Sequence, residues 1–186
     1  MIGTEAALGR RGLLGAGLGL IGSALLPAGA MAAQSRSSGE RALSFYHTHT
    51  GETAKAVFWA NGGFVKDGLS ELNRLLRDFR TGDVHVIDPE LFNLLHRARA
   101  LTGGEGKRFE IISGFRSHRT NEMLRGHSTG VAKKSLHQQG KAIDVRLPGV
   151  DLANLRKAAL ALKGGGVGYY PDPQFVHMDT GRVRFW

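Results

Sequence analysis

Ser135-Leu136-His137-Gln138-Gln139-Gly140-Lys141-Ala142-Ile143-Asp144 runs directly into Val145-Arg146-Leu147, and the reading of these residues decides the rest. Across 141–147 the pattern alternates, with Ile143, Val145 and Leu147 on one face and Ala142, Asp144 and Arg146 on the other, as a strand requires. His137 stands just before a glycine turn, so a chain that folds back at Gly140 brings it toward Asp144. His177, on a later strand, supplies a third donor. Two imidazoles and one carboxylate leave a fourth tetrahedral position open, the arrangement of a hydrolytic rather than a structural zinc site. A His-x6-Asp pair also arises by chance, and taken alone these residues also read as a surface histidine beside an exposed aspartate.

Outward from this stretch, 167–170 and 175–180 read as two further strands, and Asp151 caps an amphipathic helix that runs to Leu162 and stops at Gly164-Gly165-Gly166. Upstream, 109–113 reads as a short buried strand, 119–125 as a brief helix, and the residues from there to about 136 as a polar loop. A helix starts with Asp88 as N-cap and Pro89 in the first turn, buries Leu91, Leu94 and Leu95, and ends at Gly103-Gly104. Another covers 68–80, with Leu69, Leu72, Leu75, Leu76 and Phe79 in one buried stripe. Before it, 44–50 and 53–59 form a hairpin around Gly51-Glu52. The fold class is therefore α+β, with helices packed on a mainly antiparallel sheet.

The full sequence has 186 residues, which suits one domain of ordinary size. At 41% hydrophobic and 22% charged it is neither a disordered chain nor a polytopic membrane protein. It holds no cysteine, which excludes disulfides, thiolate metal sites and cysteine nucleophiles, so a metal must be held by His and carboxylate. Arg10-Arg11, an uncharged Leu- and Gly-rich run over 12–27, and the small residues Ala28 to Ala32 outline a twin-arginine export signal over 1–32. A Sec signal or an uncleaved amphipathic anchor is the other reading. Residues 33–40 are a polar, flexible leader, and 41–186 form a single domain. The formal net charge is +9; for an exported chain this points to an anionic wall polymer or membrane surface rather than to nucleic acid. The basic residues are scattered rather than striped, and a solubilising surface is the better account of them.

Ser113-Gly114-Phe115-Arg116-Ser117, the 135–144 stretch and Phe175-Val176-His177, taken in this order, resemble the zinc D-Ala-D-Ala peptidase superfamily, which includes VanX-type dipeptidases and hedgehog-like domains. The likeness is greatest to the exported murein endopeptidase branch. It extends to His49-Thr50-Gly51-Glu52, to Arg77-Asp78 on the first helix, and to Gly165-Gly166-Val167-Gly168-Tyr169-Tyr170-Pro171. The resemblance implies a hedgehog/DD-peptidase-like fold, Zn2+ on His137, Asp144 and His177, and hydrolysis of peptide cross-links in peptidoglycan in the periplasm. It also implies a substrate role for Arg116, whose guanidinium can hold a carboxylate or a growing oxyanion. A structural Arg116, paired with a carbonyl or with Asp78, is the alternative.

The general base is where this chain departs from the pattern. Several relatives carry an acid three positions before the last zinc histidine, and here that residue is Gln174. Asp179 is either the base or a carboxylate that orients a ligand imidazole; Asp172 and Glu122 are weaker candidates. Ser113 and Ser117 read as turn formers, His47 and His49 as exposed strand histidines, His118 and His127 as loop filler, and His85 and His96 as structural. Tyr169, Tyr170 and Trp186 either line a cleft or close the core. Beside the endopeptidase stand two other readings: a wall-binding module with a structural zinc, favoured by Gln174, and a carboxypeptidase trimming stem peptides. Oligomeric state and the bond cleaved have no signature in the sequence.

Overall fold

Alternation in the first strand decides where the core lies. β1 (Arg41–His47) turns Leu43, Phe45 and His47 inward, and all three are fully buried. The computed structural model describes residues 39–128 and 130–186. The expected export signal and most of the leader lie outside the described residues. β2 (Thr53–Ala60) and β3 (Gly63–Phe64) follow, then helices α1 (Lys66–Leu75) and α2 (Pro89–Leu101). β4 (Phe109–Ser113), α3 (His118–His127), a 3-10 turn (Leu136–Gln139) and β5 (Ala142–Arg146) come next. α4 (Leu152–Leu162), β6 (Gly166–Tyr170), β7 (Phe175–Asp179) and β8 (Arg184–Phe185) complete the chain.

The strands form one eight-stranded sheet in the order β3-β2-β1-β4-β5-β7-β6-β8. Pairing is antiparallel except for β1 with β4 and β6 with β8, so the expected mainly antiparallel α+β architecture is what the chain adopts. α1 packs on β2, and α2 packs on α4 and β1. Leu72 and Leu75 of α1, Leu91, Leu94 and Leu95 of α2, and Leu155 and Ala159 of α4 are buried with Ile111, Ile143, Val145 and Val176 of the sheet. Among the described residues no helix is long and apolar enough to cross a membrane.

Five elements differ from their sequence reading. α1 starts at Lys66 and ends at Leu75, with Leu76 as C-cap, rather than covering 68–80. Gly68 lies inside it, where a Cβ would stand 1.9 Å from the Val57 carbonyl oxygen, so this glycine lets the helix press onto β2 rather than starting it. Arg77 and Asp78 therefore leave the helix, and Phe79 is not in its stripe. Its ring stacks on His49 instead, centroids 4.4 Å apart. β1 starts three residues earlier than expected and ends at His47. The 3-10 turn was expected as loop; Gly140 ends it in the left-handed conformation at φ 65°, where the backbone reverses into β5. β3 and β8, at two residues each, are too short for alternation to signal.

β5 is more deeply enclosed than alternation suggests. Its two edges are paired with β4 and β7, and Ala142, Ile143, Asp144 and Val145, which alternate between the two faces of the sheet, are all buried. Asp144 thus sits on the non-helical face of a central strand yet out of water.

Candidate metal centre

Cross-strand register brings two of the three expected donors together. Asp144 and His177 are direct partners in the antiparallel β5–β7 pair, and directly opposed residues project from the same face. His137 reaches them from the 3-10 turn, whose N-cap Ser135 accepts the His137 backbone N–H at 3.3 Å. The side chains converge within the molecule: His137, Asp144 and His177 are 2%, 3% and 8% exposed, and one donor atom from each lies within 4.8 Å of the others. Asp144 Oδ1 is 2.8 Å from His177 Nδ1 and 3.3 Å from His137 Nε2, and the two nitrogens are 3.2 Å apart.

The far nitrogen of each imidazole is engaged elsewhere. His137 Nδ1 donates to the Gly114 carbonyl at 2.7 Å, and His177 Nε2 donates to Asp179 Oδ2 at 3.0 Å. With those tautomers, His137 Nε2, His177 Nδ1 and Asp144 Oδ1 turn three lone pairs toward one point, an arrangement that only a cation or a shared proton satisfies. Zinc donors at about 2.0–2.1 Å and tetrahedral angles stand about 3.3–3.4 Å apart, and two of the three separations here are of that size. The donor set thus fits a tetrahedral metal with one position left for solvent or substrate.

Electrostatics agrees with the geometry. Burial raises the Asp144 carboxyl, but the charges and hydrogen bonds of His137 and His177 more than reverse this and hold it well below the ordinary carboxylate range. Burial lowers His137, only partly opposed by Asp144. Burial also lowers His177, but its hydrogen bonds to Asp144 and Asp179 outweigh that and raise its affinity for a proton. The negative field that favours a proton there favours a metal cation for the same reason.

Arg116 joins this group directly. Its Nε donates to Ser113 Oγ at 2.7 Å and its Nη2 to Asp144 Oδ2, so one oxygen of Asp144 faces the imidazoles and the other faces the guanidinium. It pairs with neither Asp78 nor a carbonyl, the structural partners expected for it, and Nη1 has no partner among the described residues. Ser117 caps α3 as a turn former would, while Ser113 also anchors Arg116.

Asp179 stands behind His177, on the side away from Asp144. Its oxygens accept from His177 Nε2, Arg184 Nη1 and Nη2, and the backbone N–H of Gly166 and Gly181. Burial pushes its carboxyl up, yet these donors hold it well below the ordinary range. Gln174 is exposed in the turn before β7, its amide bonded to the Pro171 carbonyl at 2.6 Å. Asp172 is exposed, and Glu122 pairs with Arg125 on α3 at 2.8 Å; neither lines the cleft.

The three donors form the floor of a cleft of about 280 Å³, with Lys134, Leu136, Phe175 and Trp186 among its walls. Tyr170 and Trp186 line it, whereas Tyr169 packs against the core and under the Arg156 guanidinium. Trp186 donates its indole N–H to the Tyr170 hydroxyl at 2.7 Å and packs against His177, ring centroids 5.2 Å apart. His47 and His49 are not an exposed strand pair: His47 is fully buried, and His49 lies past the end of β1. His118 and His127 are exposed at the two ends of α3, outside the cleft. His85 stacks on Phe115, centroids 4.6 Å apart, and His96 is half-buried edge-on to Phe58.

Sequence reading missed Arg184, the Gly114 carbonyl and the work of Gly165, Gly166 and Gly168. A Cβ at Gly165 would stand 1.8 Å from the Asp179 carbonyl oxygen, at Gly166 2.5 Å from Asp179 Oδ2, and at Gly168 2.8 Å from the Trp186 indole. These glycines admit the parts that surround His177 and do not merely end α4. Their clustering was the one available signal; nothing local separates Arg184 from Arg182.

Residues 35–186 match a protein family described as peptidoglycan L,D-endopeptidase MepK. The Escherichia coli K12 peptidoglycan L,D-endopeptidase MepK is 46% identical over 177 residues, covering 95% of this chain and 96% of that protein. A Haemophilus influenzae protein named probable peptidoglycan L,D-endopeptidase MepK is 42% identical over 166 residues, 89% of each chain. The ordered motifs that pointed to zinc D-Ala-D-Ala peptidase-like enzymes, and within them to murein endopeptidases, are accounted for in this way: the chain belongs to the MepK family of peptidoglycan endopeptidases.

Proposed function

We propose that this protein is a zinc-dependent endopeptidase that cuts peptide cross-links of peptidoglycan, with His137, Asp144 and His177 holding the metal. The observation that carries the reading is the buried triangle of three lone pairs at the floor of an open cleft. The bound metal supplies Lewis acidity, polarising the scissile carbonyl and making water acidic enough to attack near neutral pH. The chain's own residues do the rest. Asp144 keeps its charge because Arg116 and the imidazoles face it. Arg116 then offers its uncommitted Nη1 to the oxygen on which negative charge grows as the peptide carbonyl becomes tetrahedral. Asp179 orients the His177 ring and is a positioning carboxylate rather than the base, since both its oxygens are occupied and it has no face on the cleft. Tyr170, Phe175 and Trp186 form an apolar wall against which a peptide stem lies.

The relatives' names specify an L,D bond. Of the two cross-links that murein endopeptidases open, the link between two meso-diaminopimelate residues joins an L-centre carbonyl to a D-centre amine, and this is the bond we assign. The site of action is the periplasm, reached through the twin-arginine signal over 1–32, with 41–186 as the catalytic domain of hedgehog/DD-peptidase type. The decisive experiment incubates zinc-loaded protein with defined dimers carrying either cross-link and weighs the products. Release of monomers from the meso-diaminopimelate-linked dimer, abolished by a chelator and restored by zinc, is the expected result; undiminished cleavage by metal-free protein would remove the reading. A second reading, a wall-binding module with a structural zinc, is favoured by one observation: among the described residues lining the cleft, Asp144 is the sole carboxylate. Retention on sacculi without released peptides would support it. Loss of a terminal D-Ala from uncross-linked stems would indicate the carboxypeptidase.

A further inference from the structure

Asp78 is a carboxylate that the chemistry above leaves unused, although it is only 1% exposed. No cationic side chain pairs with it among the described residues, and a buried charge is costly unless hydrogen bonds compensate it. Neutral donors do so here. Asp78 Oδ2 accepts from the Ser117 backbone N–H at 2.9 Å and from its hydroxyl at 2.7 Å, while Oδ1 accepts from the Arg80 N–H at 3.0 Å. Burial opposes ionisation, yet hydrogen bonds from Thr120, Ser117 and Arg80 hold the carboxyl below its ordinary range.

The turn that Asp78 grips is the one that carries the site. Within 113–117, Ser113 Oγ holds Arg116 Nε, Arg116 reaches Asp144, and the Gly114 carbonyl receives His137 Nδ1. The Arg116 backbone N–H also donates to the His137 carbonyl at 3.2 Å. On its other side the same turn rests on the segment after α1: Phe115 N–H donates to the Leu76 carbonyl at 2.8 Å, and a Cβ on Gly114 would stand 2.6 Å from that oxygen. Capping does not explain the charge, because Ser117 Oγ itself accepts the Thr120 N–H of α3. What Asp78 adds is a fixed end for the turn, gripping the residue next to Arg116.

We infer that Asp78 is a positioning residue: it clamps the C-terminal end of the 113–117 turn, at Ser117, so that the neighbouring Arg116 faces the cleft. This rests on the proposed hydrolysis and on Arg116 acting in it. Asp78→Asn keeps the shape but replaces one acceptor with a donor, which faces the Ser117 or Arg80 N–H. Displacement of a catalytic group by a fraction of an ångström to an ångström lowers turnover by about 10–100-fold. The test measures kcat and KM on the meso-diaminopimelate-linked dimer for wild type, Asp78→Asn, Arg116→Lys and the double variant, with zinc content and unfolding midpoint for each. The expected result is a kcat loss of about tenfold or more in Asp78→Asn with KM nearly unchanged and zinc retained, and little further loss when it is added to Arg116→Lys. Should Asp78→Asn not fold, Ser117→Ala, which removes the hydroxyl donor to Asp78 together with the α3 cap on the Thr120 N–H, takes its place in the same cycle with a smaller kcat loss expected, the unfolding midpoint reporting the lost cap. Independent, multiplying losses, or a kcat loss matched by lost zinc, would overturn the inference while leaving the proposed function standing. A wild-type protein that leaves both dimers intact would overturn the two together.

Discussion

Asp179 carries a charge that the site uses without exposing it. Five donors surround it, and one of them is the ring nitrogen of His177 that faces away from Asp144. Replacing such an outer carboxylate typically weakens metal binding by about 10–100-fold. Asp179→Asn is therefore expected to lose zinc affinity by that order in a competition titration, with activity recovering as zinc is raised. A base role predicts the opposite pattern, unchanged affinity and lost turnover at saturating metal. For the donors themselves the expectation is sharper: His137→Ala removes one of the three proposed protein ligands and should abolish both bound zinc and cleavage. At this scale the sequence disclosed the candidate donor types and their order, because few other residues in a cysteine-free chain bind a metal. It did not disclose which nitrogen of each histidine is free, since Gly114 and Asp179 decide that.

Among the elements, β6 shows how a strand is shaped by what it must admit. Gly165, just before it, faces the Asp179 carbonyl oxygen at a distance that no Cβ tolerates, and backbone cannot swing aside as a side chain does. Gly165→Ala is expected to lower stability by about 1–3 kcal/mol or more in urea unfolding and to weaken zinc binding with it. The same substitution at Gly126 in α3 meets nothing within 4 Å and should stabilise by about 0.5–1 kcal/mol, through helix propensity alone. Equal effects at the two positions would contradict the close-approach account. Helix α2 was fully legible, since Asp88 and Pro89 are strong start signals and Asp88 does accept the Glu90 N–H. The end of α1 was not, because Phe79 keeps the helical spacing while Asp78 turns the chain by bonding Ser117, which lies 39 residues away in sequence.

At the scale of the whole molecule, His47 links stability to pH. It is fully buried, its Nδ1 accepts the His49 N–H, and its Nε2 has no partner among the described residues. Burial, followed by the nearby His49, lowers its pKa from 6.5 to about 4. The folded state therefore resists a proton that the unfolded chain accepts. The contribution of this group is fully present above pH 6.5 and is lost as pH falls toward about 4, by about 3 kcal/mol at most. Urea midpoints compared at pH 7.5 and 4.5 should fall less steeply in His47→Gln than in wild type; parallel slopes would show that His47 does not titrate in this way.

What the sequence determined by itself was the set of helices and central strands, through periodicity and caps, and the candidate His-Asp-His group, through ordered motifs. Those signals are local: a face repeats within a few residues, and a motif lies within a dozen. The tertiary structure alone decided that Asp144 and His177 are cross-strand partners, that β5 is buried on both faces, that Arg116 holds the second oxygen of Asp144, and that Asp78 bonds the turn that carries Arg116. Each of these joins residues 28 to 39 positions apart, and such pairings follow from sheet register and close packing, which no short window of sequence records.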